Sequence, residues 1–206
     1  MSMNQQYLFS DRSSHEVLEG KRNSIRREIS GWNEINFPAT DEDFSRVVDA
    51  QVQANAFTLI EIQWENPKKE ISMENLPVDF AAGEMSISGR KNVAVVKYTL
   101  QHNQHDSTLF AISPQHFNTN VPIAEVRYRA IIICIQTQYS NENLPDHIVE
   151  QVFREKTNAL SNLKQYVEWL NADLSIFNSE LPALIRAELE KRKTSLALKK
   201  GLMDRL

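Results

Sequence analysis

The chain has 206 residues, of which 41% are apolar and 24% charged, with a formal net charge of −4. That is an ordinary globular composition, and at this length roughly 70% of the extended chain's surface can be buried. Its five glycines, Gly20, Gly31, Gly83, Gly89 and Gly201, are too scattered to wrap backbone amides round a phosphate, which excludes a P-loop and a Rossmann G-x-G-x-x-G turn.

In chain order, residues 14–30 predict a helix, with Ser13 or Ser14 as N-cap and an apolar stripe of Val17, Leu18, Ile25 and Ile29. Gly31 ends it, and residues 32–38 form an irregular link. Thr40 and Asp43 predict a capping box opening a second helix over residues 41–55, with Phe44, Val47, Val48 and Val52 on one side. The period then drops from near 3.6 to 2. Residues 57–64 predict a strand, 66–69 a turn, 76–80 a loop, and 85–88 a short strand before a Ser88-Gly89 turn. A strand is expected over 93–101, a turn over 102–106, a short strand over 108–112 and a loop over 113–120.

Residues 123–139 predict the longest strand. Its even positions from Ala124 to Cys134 are apolar throughout, whereas its odd positions change from Glu125, Arg127 and Arg129 to Ile131, Ile133 and Ile135. The second half should therefore be covered on both faces. The covering element follows: Pro145 opens a helix with the stripe Val149, Val152, Ala159, Leu163, Tyr166, Leu170, Leu174 and Phe177. Asn178-Ser179 offers a cap, Pro182 suits the first turn of a second helix over 181–200, and Gly201 is a natural stop. The expectation is an α+β fold: a central antiparallel sheet with N-terminal helices and a long C-terminal helical hairpin. Residues 1–140 would form the body and 141–206 the hairpin, as one continuous domain.

The single cysteine, Cys134, excludes an internal disulfide framework and a Cys-based zinc knuckle. Its apolar neighbours make it a small core side chain. Residues 1–13 lack a secretory apolar region, and no apolar stretch nears the ~20 residues a membrane span needs. A cytoplasmic protein without a membrane partner is expected. Charge is uneven: residues 181–206 carry +4 and the remainder −8. Such a tail suits nucleic acid, an acidic partner or the acidic body of the protein itself, and first of all the preference of cations for the C-terminal half of a helix.

Three constellations invite chemistry. His102, His105 and His116 could ligate zinc, as in a metal-dependent hydrolase, although an H-x-x-H in a turn lacks the helical face and glutamate base of a zinc protease. Asp49 with Glu61-Ile62-Gln63 is the nearest approach to a metal-binding D/E-x-K nuclease core, with glutamine in place of its lysine. Arg186, Lys191, Arg192, Lys193, Lys199 and Lys200 could neutralise phosphates, with no interleaved aromatic residues to stack on bases. No catalytic, cofactor or metal residue is assigned, and the reading leans away from an enzyme.

Residues 166–206, YVEWLNADLSIFNSELPALIRAELEKRKTSLALKKGLMDRL, resemble a stretch of bacterial defence-associated multidomain proteins that carry a restriction-endonuclease-like or other effector domain further along. Residues 107–135, with the Ser-Pro-x-x-Phe turn at Ser113-Pro114-Gln115-His116-Phe117, are similar to the same family. The resemblance implies an N-terminal module of a longer protein: a non-catalytic sensing, assembly or partner-binding element regulating a nuclease-type effector. Its implied partners are that effector and a second copy bound through the C-terminal helices. A nucleic-acid-binding domain using the basic last helix is the rival expectation.

Overall fold

The structure, a computed structural model, describes residues 6–37, 40–82, 85–105 and 107–203, without the side chains of 41 and 77–89. The elements are β1 (Gln6–Tyr7), β2 (Arg12–Ser13), α1 (Ser14–Ser30), α2 (Asp41–Asn55), β3 (Lys68–Ala82), β4 (Met85–Gln101), β5 (Ile112–Ser113), β6 (Ile123–Arg127), β7 (Ala130–Gln136) and α3 (Asp146–Met203). Short 3-10 helices occupy Glu34–Asn36 and Ser107–Ala111. The expected α+β class, with a central antiparallel sheet and a helical C-terminal region, is what forms. The chain divides into two compact units interleaved in sequence, rather than at residue 140. One comprises Met1–Asp11 and Ile60–Trp169, the other Arg12–Leu59 and Leu170–Leu206.

The first unit is built on a five-stranded antiparallel sheet of order β1-β6-β7-β4-β3. β7 is buried on both faces only at its centre: Ile131, Ile133 and Ile135 are buried on one, and Ile132 is buried on the other, where Ala130 and Cys134 are half-buried. One face lies under the first part of α3, where Lys156 stands over the Tyr98 ring at 5.3 Å. On the other face Leu76, Val93 and Val95 pack with Cys134. Tyr166 of α3 is fully buried, stacks on Phe9 at 5.5 Å, and donates its hydroxyl to the Asn118 carbonyl at 2.7 Å.

Several expectations for this unit need correction. The strand expected over 123–139 is two strands, folded at Tyr128-Arg129 so that Arg127 faces Ala130. No glycine or asparagine marks that turn; Arg129 itself takes the left-handed conformation, with φ 55°. The expected turn at 66–69 survives at its start, where Asn66 takes the left-handed conformation with φ 52°, but the loop at 76–80, the short strand at 85–88 and the Ser88-Gly89 turn are replaced by one long hairpin, β3 pairing with β4 from Lys68↔Thr99 to Ala82↔Met85. Pro77 is tolerated because β3 is an edge strand, where a missing N–H breaks no ladder bond on the open side. Gly83 lies outside the described residues. Residues 57–64 are extended but make only one bridge, Ile62↔His102, so the alternating pattern reports burial of Ile60 and Ile62 rather than a full ladder. The short strand expected over 108–112 is mostly the 3-10 helix Ser107–Ala111.

The second unit is a three-helix packing of α1, α2 and the later part of α3. α1 and α2 occupy their expected residues. Ser13 Oγ accepts the Glu16 amide, and Thr40 Oγ1 accepts the Asp43 amide at 3.2 Å while donating to its carboxylate. Ser14 donates to Asp173, Arg22 pairs with Glu180, and Arg26 pairs with Glu188, so α1 runs parallel to α3. Phe57, just past α2, contacts Phe177, whereas Phe44 near its start lies beneath Arg186 and Lys193; α2 therefore runs antiparallel.

The C-terminal hairpin is not two helices but one, continuous from Asp146 to Met203 with Pro182 inside it. Asn178 does not cap anything: its side-chain amide clamps the Phe57 backbone, donating to the carbonyl at 2.8 Å and accepting the amide at 2.9 Å. An interior proline costs a helix about 3 kcal/mol. Phe177, Leu181, Ile185 and Leu189 are all essentially buried, and burying each contributes about 1.5–3 kcal/mol. Packing outweighs the proline. Gly201 likewise lies within the helix rather than stopping it.

Candidate functional site

The cations of the basic last segment do not act as one set. Arg192 donates from Nε to the Trp32 carbonyl at 2.8 Å, which holds its guanidinium against the end of α1. Arg186 and Lys193 stand over the Phe44 ring at 5.9 and 5.7 Å, and such contacts at exposed sites contribute about 0.5–1 kcal/mol. Lys199 and Lys200 are exposed further along the helix. Three of the six therefore have roles inside the helical unit.

What topology adds is a groove of about 480 Å³ within that unit, lined by Arg26, Arg27 and Ser30 of α1 and by Glu188, Lys191, Arg192 and Ser195 of α3. It brings four cations and one carboxylate together. Glu188 is engaged by Arg26 at 3.4 Å, whereas Arg27 and Lys191 make no ion pair among the described residues. Two uncompensated cations beside two held ones, with serine hydroxyls between, suit an anionic surface. Sequence reading missed Arg26 and Arg27, because only the parallel packing of α1 on α3 places them beside Lys191.

A second feature lies past this groove. Leu198, Leu202 and Met203 are 66%, 62% and 64% exposed at the end of α3. Thr194, Ala197, Leu198, Gly201 and Leu202 line a shallow depression there, recurring at helical spacing along one face.

The histidines do not converge. His102 is buried edge-on to Phe110 at 4.8 Å, and its Nδ1 accepts the Gln104 amide. Burial pushes its pKa below the ordinary histidine value, partly offset by neighbouring backbone carbonyls. His105 is exposed and faces Tyr128 and Arg129 instead, while His116 stands exposed in a loop. Among the described residues no group of three or more His, Cys, Asp or Glu side chains is close enough to hold a metal ion. The nearest approach to a nuclease core fares similarly, since Asp49 lies inside α2 and the Glu61 backbone is tied to Asn103.

Cys134 is a half-buried thiol, pushed up to about 11 chiefly by burial. Beside it Lys97 pairs with Glu74, whose hydrogen bond holds the ammonium above its ordinary pKa. Among the described residues no helix is long and apolar enough to cross a membrane. Compared with protein-family models, curated proteins and solved structures, the chain matches none of them.

Proposed function

We propose that the chain is a non-catalytic sensing, assembly or partner-binding module that regulates a nuclease-type effector in bacterial defence. The observation that carries binding is the end of α3, where Leu198, Leu202 and Met203 are largely exposed on a segment, residues 197–203, that extends beyond the last buried residue of the helix, Leu189. Apolar side chains at helical spacing with no covering element are the ordinary signature of a docking helix. Self-association through this segment would bring like charges together, because Lys199 and Lys200 flank it. Added salt should therefore strengthen association by screening that repulsion. Light scattering of the purified chain from 1 to about 200 μM, at low and high salt, tests this directly. A concentration-dependent dimer that Leu198→Glu with Leu202→Glu abolishes is expected, and a strict monomer throughout overturns the assembly reading.

A second reading, nucleic-acid binding through the basic segment, is favoured by the groove that joins Arg26 and Arg27 to Lys191 and Arg192. Phosphate contacts release counterions, so affinity falls steeply with salt. The two readings thus predict opposite salt responses. Duplex DNA titrated at 50 and 200 mM salt should bind more weakly at the higher, and Lys191→Glu with Arg27→Glu should remove the difference.

A further inference from the structure

The hairpin joining β6 and β7 turns on two residues, Tyr128 and Arg129, neither of which suits a tight turn. Arg129 sits at φ 55°, where a side chain other than glycine or asparagine costs about 1 kcal/mol or more. The turn is closed by the Arg127↔Ala130 pair, and outside the ladder the His102 amide donates to the Arg129 carbonyl at 3.1 Å. The side chains are not spent on holding the turn. Tyr128 is 72% exposed, and Arg129 and His105 are exposed beside it.

These three are nonetheless arranged. Arg129 Nη2 lies 2.9 Å from His105 Nε2, and the guanidinium stands 5.6 Å from the Tyr128 ring centroid. A guanidinium can only donate, so the ring nitrogen of His105 nearest to it takes the accepting role, and His105 Nδ1 lies 3.2 Å from the Tyr128 hydroxyl. Arg127, the next cation along the strand, is paired with Glu125 at 2.8 Å. Arg129, in contrast, has no carboxylate partner among the described residues. The turn presents a largely exposed ring with a guanidinium over one of its faces and an imidazole in contact with both.

We infer that the Tyr128-Arg129 turn, positioned by His105, is a stacking platform for single-stranded nucleic acid, taking a base on the Tyr128 ring and the adjoining phosphate on Arg129. A ring whose neighbouring cation has no carboxylate partner among the described residues matches both halves of a nucleotide, whereas a duplex hides its base faces. The inference is independent of the basic groove on the helical unit and of docking by the end of α3.

The test is fluorescence anisotropy of the full chain with a labelled ten-residue oligothymidylate at 50 and 200 mM salt, with duplex of the same length as competitor. Base–aromatic stacking is lost with the ring, so Tyr128→Ala should weaken binding at least about 5-fold. Tyr128→Phe should keep it, and Tyr128→Leu, equally apolar but not aromatic, should behave like alanine. Arg129→Gln should weaken binding and flatten the salt dependence. Thermal melting of each variant, expected within a few degrees of the parent because the residues are exposed, separates loss of contact from loss of fold. Absence of binding below about 100 μM at the lower salt overturns the inference. So does binding that Tyr128→Ala leaves unchanged, and loss on Lys191→Glu alone would assign the nucleic acid to the helical groove instead.

Discussion

Two buried side chains show how single polar groups are held in this chain. Tyr166 is fully enclosed, and its hydroxyl both donates to the Asn118 carbonyl and accepts the Asn118 amide at 3.2 Å. Tyr166→Phe keeps the stacking on Phe9 but leaves that backbone pair short of a partner. Chemical unfolding should record a loss of about 1–3 kcal/mol, the penalty for stranding a buried polar group. His102 is held at one nitrogen only: its Nδ1 accepts the Gln104 amide, while its buried Nε2 has no hydrogen-bond partner among the described residues, and its charge is at stake as well. Burial depresses its folded pKa below the unfolded value of about 6.5. The unfolded chain therefore binds the proton first, and the stability His102 confers is present above about pH 6.5 and lost as pH falls toward the depressed folded value. Urea midpoints at pH 7.5, 6.5 and 5.5 should decline, and His102→Gln should show a shallower decline over the same window.

At the scale of elements, helix α3 and the β6–β7 hairpin mark where local reading succeeds and where it stops. The stripe from Val152 to Phe177 was legible because a 3.6-residue period survives any tertiary context, although Val149 turns out largely exposed. Asn178, Ser179 and Pro182 together spell a helix break, and only the burial of Leu181, Ile185 and Leu189 overrides it. That override has a measurable residue. Pro182 faces solvent and still withholds its N–H, so Pro182→Ala should raise stability by about 1–3 kcal/mol in thermal or urea unfolding. The hairpin failed to show for the opposite reason: Tyr128-Arg129 carries no turn signal, and a two-residue turn preserves the alternation of a single strand. The double burial at the centre of β7 was legible all the same, because it depends only on the apolar run. As for the candidate site, the lysines of α3 stood out by composition, whereas Arg26 and Arg27 are recruited by helix packing that no local pattern encodes.

For the whole molecule, the interleaving of the two units decides what can be removed. The sheet unit draws Val152, Leu163, Tyr166 and Val167 of α3 into its core. A chain ending at residue 140 loses all four, and should lack the cooperative melt and near-ultraviolet dichroism of the full chain. The helical unit likewise needs residues from both ends of the sequence. Neither can be obtained by a single cut, which is why a boundary drawn from hydropathy near residue 140 matches neither unit.

Cys134 gives this architecture a built-in reporter. With its thiol near 11, roughly one molecule in a thousand carries the reactive thiolate at pH 8. Alkylation of the folded chain at pH 8 should therefore be slow, and raising the pH by one unit should speed it about 10-fold, because the thiolate is the reacting form. Unfolding returns the thiol to its ordinary range, so on this one cysteine a faster rise in mass would report loss of the sheet that half-buries it.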